Sequence, residues 1–181
     1  MKKPLKWTLL SVVIGALIVG VGMVGFKKQS PEAAANVPVA PQQGYRMPPF
    51  TLTEYPDNKT IDTKDLIGKP IFINIWASWC PPCQEETPDI VKAYKQYGSK
   101  VVFLSVNATS QDNMPDVEQF IKHYGITWPV ALDKNGEVLQ EYNIVGFPTS
   151  FFVNRQGIIT DVNVGLITAQ NLNDQLQRIT E

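Results

Sequence analysis

Two apolar runs separated by a helical stretch constrain the fold of this chain most strongly. "IFINIWA" (71–77) and "VVFLSVNA" (101–108) are nearly continuous in apolar and β-branched residues, which is typical of strands buried on both faces. Residues 80–97 between them carry apolar and aromatic side chains at helical spacing, and Gly98 ends the pattern. Strand, helix and strand in this order predict parallel strands joined by a right-handed crossover. We therefore expect an α/β fold.

The remaining segments predict further elements of both kinds. The predicted elements are a leading hairpin in "FTLTEYPDNKTI", a helix at about 115–124, a short strand in "WPVALD", a short helix or turn in "GEVLQEYNI", a hairpin formed by "TSFFVN" and "IITDVNVG" around "RQG", and a helix from about Thr168. Together they predict a mixed β-sheet flanked by helices on both sides.

The first 28 residues predict a membrane anchor. Three lysines precede an uncharged stretch over residues 7–26, and Lys27 and Lys28 follow it. A helix of that length spans roughly 30 Å, the thickness of a bilayer's hydrocarbon core. The apolar region of a cleaved signal peptide is shorter, roughly 7–15 residues, and is followed closely by a small-residue cleavage site. We expect an uncleaved signal anchor, with a cleaved signal as the alternative.

A tether and one domain are expected after the anchor. Residues 29–45 contain three prolines and no apolar periodicity, which is typical of a flexible tether. Residues 46–181 are long enough for one domain with its own core. The lysines before and after the span slightly favour a cytoplasmic N-terminus. The domain would then lie on the extracytoplasmic side of a single-pass membrane protein.

The charge of the domain argues against nucleic acid as a partner. Five of the 16 Lys and Arg residues flank the apolar stretch, and the remaining 11 stand against 17 Asp and Glu. The resulting net charge is near −6, whereas proteins that bind nucleic acid carry basic patches.

Both cysteines lie in "WASWCPPCQEETP" (76–88), two residues apart. Structural zinc requires four ligands, and the chain offers two cysteines and a single histidine, His123, far along the sequence. A two-thiolate copper site stays open as an alternative. A purely structural disulfide is disfavoured, because so short a loop constrains the unfolded chain very little.

A redox role fits the position of the two cysteines. Cys80 falls where a strand ends and a helix begins, so free N–H groups and the helix dipole would stabilise its thiolate and lower its pKa. Cys83, one turn later, is positioned to resolve a mixed disulfide on Cys80. Pro82 lacks an N–H that would otherwise bond the Cys80 sulfur, so we expect only a moderate lowering. Cys-x-x-Cys beside a βαβ pattern favours a redox site.

Two motifs resemble those of the thioredoxin superfamily. "WASWCPPC" resembles its active-site motif, and "VGFPTSFFVNRQGII" resembles its second signature. With the predicted anchor, "CPPCQEETP" and "WPVALDKNGEVLQEYNIVGFPT", residues 46–181 resemble the TlpA/ResA-like branch of membrane-tethered thiol–disulfide oxidoreductases. The resemblance implies a thioredoxin-like fold with a strand–helix unit inserted between Cys83 and Pro148. It implies no cofactor, because the two sulfurs carry the electrons.

The resemblance also gives roles to Asn74 and Glu86. Asn74 stands where plain thioredoxin has a buried Asp that assists proton transfer, which a neutral amide cannot do. Glu86, three residues after Cys83 on the helix, is implied to accept protons and to adjust the cysteine pKa values. The alternative is that Glu86 is a solvated carboxylate like Glu85.

Five further residues are implied to support the active site or to bind partners. Pro148 would be a cis-proline facing the cysteines, flanked by Phe147 and Thr149, and Pro82 lies between the two cysteines. Trp79 would shield the sulfurs and contact partners, with packing in the core as the alternative.

The branch implies a bacterial reductase of exported proteins. Its implied partners are disulfide-containing exported proteins such as apocytochrome c before haem attachment, and a transmembrane electron donor of the CcdA/DsbD kind. A role in reducing cell-envelope proteins during sporulation is also implied. An oxidase or isomerase would use the same residues in the opposite direction. A peroxidase is disfavoured because its Thr-x-x-Cys pattern would place Thr at Ala77, and a copper carrier would need a third ligand.

Overall fold

The computed structural model describes residues 36–181, which form a seven-stranded mixed sheet with helices on both faces. Within these residues no helix is long and apolar enough to cross a membrane, and the predicted span at 7–26 lies outside them. The elements in sequence order are β1 Thr51–Tyr55, β2 Thr60–Asp62, β3 Ile71–Trp76, α1 Pro81–Tyr97, β4 Val102–Asn107, α2 Met114–Tyr124, β5 Val130–Leu132, α3 Glu137–Glu141, β6 Thr149–Val153, β7 Ile159–Val164 and α4 Ala169–Thr180.

The strand order of the sheet is β2-β1-β5-β4-β3-β6-β7. β3 and β4 are parallel, as the βαβ pattern predicts, and β5 is parallel to β4. β6 runs antiparallel to β3, and β7 antiparallel to β6. The segment between the cysteines and Pro148 contains β4, α2, β5 and α3, so it includes a strand–helix unit. The carboxyl ends of the parallel strands meet at one edge, which is where both cysteines lie.

The central strand β3 is buried on both faces, and the two faces differ in chemistry. One face, which we call the isoleucine face, presents Ile71, Ile73 and Ile75 to a cluster that includes residues of α3. The other, the aromatic face, presents Phe72, Asn74 and Trp76 towards α1, α2 and α4. Alternation along the strand sends successive side chains to opposite faces.

Capping residues set the ends of the longer helices. Asn113 precedes α2 and accepts a hydrogen bond from the Asp116 backbone N–H, and Gly125 ends that helix in the left-handed conformation (φ 69°). Thr168 caps α4 in the same way, accepting from the Asn171 N–H. These side chains satisfy N–H groups that a helix start leaves unpaired.

Residues 37–45, which the sequence assigns to the flexible tether, are hydrogen-bonded in the structure. The Gly44 N–H donates to the Ile159 carbonyl at 2.8 Å, and the Ile159 N–H donates to the Tyr45 carbonyl at 2.9 Å. The Arg46 N–H donates to the Pro38 carbonyl at 3.0 Å. The hydrogen-bonded part of the described residues therefore begins N-terminal of residue 46.

Candidate active site

Cys80 and Cys83 are joined by a disulfide at the carboxyl end of β3. Cys80 is the N-cap of α1, and its Sγ accepts a hydrogen bond from the Cys83 backbone N–H at 3.2 Å. Pro81 and Pro82 occupy the first turn, where a missing N–H costs little. Both sulfur-bearing residues are buried. The strand–helix junction therefore places one sulfur at the positive end of the helix, as the sequence predicts.

An open groove of about 430 Å³ gives access to Cys80 but is not lined by Cys83. Trp79 forms one wall and is 54% exposed. Its indole N–H donates to the Gln111 carbonyl at 2.8 Å, and its ring meets Phe147 edge-on. The alternative of core packing for Trp79 is therefore wrong. The groove is lined by Trp79, Cys80, Pro81, Pro82, Gln111, Leu139, Ile144, Val145, Gly146 and Phe147.

The loop that carries Pro148 lies beside the end of β3. The Phe147–Pro148 peptide bond is cis, as the resemblance implies. Thr149 begins β6 opposite Ile75, and its hydroxyl donates to the Gly146 carbonyl at 2.8 Å. This pairing places Pro148 next to the segment that leads from β3 to Cys80.

Glu86 is buried, with 2% of its surface exposed, whereas Glu85 is exposed. One oxygen, Oε1, accepts from the Asn74 side-chain amide at 2.8 Å. The other, Oε2, accepts from the Ile167 backbone N–H at 3.0 Å. The alternative of a solvated Glu86 is therefore wrong. Its helical spacing from the buried Cys83 places both on one side of α1.

The environment of Glu86 gives it an unusual pKa. Burial disfavours the charged form and raises the pKa of Glu86 to about 7. The hydrogen bonds from the Ile167 N–H and the Asn74 amide oppose that rise, because both favour the carboxylate. A carboxyl group that titrates near neutrality can accept and return a proton under physiological conditions. The Asn74 amide cannot accept a proton in this way, but its hydrogen bond holds the Glu86 carboxyl group, which can.

Asn74 and Ser150 extend this polar contact across the sheet. They face each other in the β3–β6 register, and the Asn74 amide also donates to Ser150 Oγ at 3.1 Å. Both residues are buried. A single amide therefore links Glu86 of α1 to the strand that follows Pro148.

Asp112 is a residue of the site that the sequence does not predict. Its carboxylate accepts from the Ser78 N–H at 2.7 Å, from the Ser78 hydroxyl at 2.6 Å and from the Asn107 side-chain amide at 2.9 Å. These bonds tie the loop before Trp79 to the end of β4. The sequence signal was only that Asp112 follows a strand parallel to β3, since the contact spans 34 residues.

No group of three or more His, Cys, Asp or Glu side chains is placed to hold a metal ion within residues 36–181. His123, on α2, is exposed. It lines a separate groove of about 350 Å³ that also contains Ser78 and Trp79 but neither cysteine.

The chain is similar to other bacterial proteins along most of its length. The Redoxin family matches residues 42–176. The thioredoxin-like protein YneN of Bacillus subtilis is 32% identical over 161 residues, covering 88% of this chain and 92% of the relative. The thiol-disulfide oxidoreductase ResA of Bacillus subtilis is 32% identical over 171 residues, covering 94% and 93%.

A solved structure confirms the fold. The crystal structure of StoA from Bacillus subtilis matches with a TM-score of 0.61 and 33% identity, covering 71% of this chain and 96% of StoA. The thioredoxin-like arrangement of a central mixed sheet with flanking helices, implied by the motifs, is thereby confirmed for the described residues.

Proposed function

Because this chain belongs to the Redoxin family, in the TlpA/ResA-like branch of the thioredoxin superfamily, and is a thiol–disulfide oxidoreductase, we propose that it works as a reductase. Its Cys80–Cys83 pair would donate electrons to disulfides of exported proteins. The observation that carries the direction is the buried carboxylate of Glu86 on the same side of α1 as Cys83.

Charge near the cysteines decides how readily the pair gives up electrons. A dithiol whose reduced form is stabilised by a favourable thiolate environment makes a strong oxidant. A carboxylate opposes thiolate formation, because two negative charges repel in a poorly solvated site. Glu86 therefore favours the disulfide over the ionised dithiol, and Pro82 contributes by withholding an N–H from the Cys80 sulfur. Both effects lower the reduction potential and favour reduction of partners.

The two cysteines have different roles in the proposed cycle. The Cys80 thiolate attacks one sulfur of a partner disulfide in the groove, forming a mixed disulfide and releasing the other partner sulfur as a thiolate. Cys83 then gives its proton to Glu86 and attacks Cys80 Sγ. This step breaks the mixed disulfide, releases the second partner thiolate and closes the Cys80–Cys83 disulfide. Two electrons pass to the partner, and an electron donor must then return two electrons to the Cys80–Cys83 pair.

The reduction potential of the pair tests the direction. We expect a value near that of thioredoxin, about −270 mV, rather than near that of protein disulfide isomerase, about −180 mV. The measurement is equilibration of the full-length protein with a glutathione or thioredoxin redox couple, followed by quantification of oxidised and reduced forms. A value above about −180 mV would overturn the reductase assignment and favour an oxidase or isomerase.

Anchoring and partners complete the proposal. The uncharged stretch over residues 7–26, between flanking lysines, supports a single-pass anchor with the domain on the extracytoplasmic side. A transmembrane donor of the CcdA/DsbD kind would re-reduce the pair, and apocytochrome c is one candidate substrate. Protease added to intact spheroplasts should remove the domain. Complete protection would contradict this topology, and a soluble protein lacking residues 1–35 would indicate a cleaved signal.

A further inference from the structure

Basic side chains gather at the end of the sheet opposite the cysteines. Three grooves are lined by basic residues: one by Arg46 and Lys64, one by Lys69, Lys100 and Arg155, and one by Lys95. The last two grooves share Tyr94, Gly98, Ser99 and Trp128. We call the exposed members, Lys64, Lys69, Lys95, Lys100 and Arg155, the basic end.

The strand register fixes the position of the basic end. β6 runs antiparallel to β3, with Val153 opposite Ile71. The turn that follows β6, with Arg155, therefore lies at the start of β3, whereas Cys80 follows the end of β3. The Gly68 N–H donates to the Arg155 carbonyl at 3.0 Å, which brings Lys69 to the same place. The basic end and the disulfide thus face away from each other.

The cations of the basic end form no ion pair with an acid among residues 36–181. No Asp or Glu lines the three grooves; the nearest acidic neighbour in sequence is the exposed Asp65. The ion pairs found within residues 36–181 involve Lys59 and Lys92, and none of the five cations of the basic end. At the cysteine end, the two grooves are lined by one carboxylate, Asp116, and by no Lys or Arg.

This uneven distribution of charge would give the domain a preferred orientation at a charged surface. The part of the protein that follows the predicted anchor carries an excess of acidic residues, yet five of the ten exposed Lys and Arg side chains within residues 36–181 belong to the basic end. An anionic surface would attract the basic end and repel the remainder, so the domain would be oriented as well as bound.

The polypeptide enters the domain at the same end. The Arg46 Nε–H donates to the Val37 carbonyl at 2.9 Å, and Arg46 lines a groove of the basic end. Ten residues separate Val37 from Phe26, the last residue of the predicted span. Even fully extended, the eleven steps from Phe26 to Val37 reach no more than about 40 Å. A domain anchored in this way would stay within that distance of the headgroups, and the connecting segment would join it at the basic end.

We propose that the basic end docks on anionic phospholipid headgroups of the membrane in which the protein is anchored. The docked domain presents Cys80 and its groove away from the bilayer, towards soluble partners. This inference rests on the anchoring proposed above. Headgroup phosphates offer the negative charge that Lys and Arg at a membrane surface bind, and the attraction is screened by salt.

The test uses the full-length protein in nanodiscs with the native disulfide intact. A Ser99→Cys substitution supplies a labelling site at the basic end for a fluorescent donor, and a labelled lipid serves as acceptor. We expect higher energy transfer in discs of equal parts phosphatidylglycerol and phosphatidylcholine than in phosphatidylcholine alone. The difference should vanish at about 1 M salt, where the screening length is about 3 Å.

A pair of matched variants identifies the residues responsible. Lys69→Gln/Lys100→Gln should reduce the ratio of docked to undocked domain by about 25-fold, from roughly fivefold per basic residue. Lys122→Gln/Lys134→Gln removes the same charge from residues that line none of the three grooves and should leave energy transfer unchanged. Insulin reduction should be the same in both variants.

The possible outcomes separate the two proposals. A protein that does not co-purify with the discs would overturn the anchoring and the docking that rests on it. A protein that co-purifies but shows equal energy transfer in both lipid compositions would overturn the docking and leave the anchoring intact. Equal loss in the two variants would also overturn docking through the basic end, because it would show a general effect of charge.

Discussion

The two faces of β3 are buried to the same degree but have different roles. On the isoleucine face, Ile71, Ile73 and Ile75 are fully buried and pack in an apolar cluster. On the aromatic face, Asn74 lies between Phe72 and Trp76 and reaches the buried carboxylate of Glu86. The first arrangement stabilises the fold by removing apolar surface from water. The second places polar groups in the same interior, where each needs a partner.

The energetic cost of burying polar groups falls on the aromatic face. Glu86 and Asn74 find partners in Ile167 and Ser150. The Trp76 indole N–H, on the same face, has no hydrogen-bond partner among the described residues, although its ring stacks on Phe120. An unpaired buried donor costs about 1–3 kcal/mol. The polar groups of the aromatic face thus lower the stability of the fold, and they place a titratable group near the disulfide.

Loss of either reacting sulfur should disable the catalytic cycle. Cys80→Ser should abolish turnover of a model disulfide such as insulin, because the attacking thiolate is lost. Cys83→Ser should retain the attack and accumulate mixed disulfides with partners, detectable by non-reducing electrophoresis. Full insulin reductase activity in Cys80→Ser would contradict the mechanism. So would tight stoichiometric Cu(I) binding without reductase activity in the unaltered protein.

Truncation of a side chain on the isoleucine face should lower the stability of the protein without changing its redox chemistry. Ile73→Ala removes a fully buried side chain and should lower the free energy of unfolding by roughly 2–5 kcal/mol. The reduction potential of the cysteine pair should stay at the wild-type value, because Ile73 points away from the site. Denaturant unfolding and redox equilibration measure the two quantities. A changed potential would show that the faces are not independent.

Glu86→Gln should alter both chemistry and the pH dependence of stability. The pKa of Glu86 rises from its ordinary 4.5 to about 7 on folding, so the folded state holds an extra proton between these values. Wild-type stability should therefore fall as the pH rises from about 4.5 to 7, by about 3 kcal/mol. Glu86→Gln should lack this contribution. Unfolding measured at pH 5 and pH 8 compares the two proteins.

The Glu86→Gln substitution should also change the pKa of the Cys80 thiol. Removing the negative charge should lower the pKa of Cys80 in the reduced protein, while turnover near neutral pH falls because Asn74 cannot accept the proton. Glu85→Gln, on the exposed side of α1, is the control. Alkylation rates of Cys80 against pH measure the effect. Identical titration curves for the two variants would reduce Glu86 to a structural residue.

Ser150→Ala should have only a slight effect on the protein. The substitution removes one of the two side-chain acceptors that the Asn74 amide contacts and should cost about 1 kcal/mol of stability. Glu86 keeps both of its donors, so turnover and its pH profile should be nearly unchanged. Calorimetry and insulin reduction measure the two quantities. A large loss of activity would indicate that the Ser150 contact also positions Glu86.

The order of elements follows from the sequence because its signals are local. Apolar runs such as 71–77, the helical spacing after Cys80 and the stop at Gly98 each act within a few residues, and the structure follows them closely. The site at the strand–helix junction follows for the same reason. The burial of Glu86 does not follow from the sequence. Helical spacing alone does not show which of Glu85 and Glu86 is buried, because this depends on α4 and the segment before it, which cover one side of α1.

Contacts between distant segments account for the rest of what the sequence missed. The carboxylate of Asp112 binds Ser78 across 34 residues, and no spacing rule connects them. The segment 37–45 reads as a tether because its prolines and polar residues resemble a linker, yet its partner is the start of β7. Pairing of this kind depends on which edge of the sheet remains open, and this is known only once the sheet has formed.

That pairing has a consequence for how the protein behaves among its own copies. β7 is an outer strand, and the unpaired backbone groups of an outer strand can join another molecule and start aggregation. The bonds from Gly44 and Tyr45 to Ile159 occupy the beginning of this edge, and Asp161 places a charge further along it. At the opposite edge, β2 is only three residues long. A crowded population of these domains is thereby protected from joining sheet to sheet.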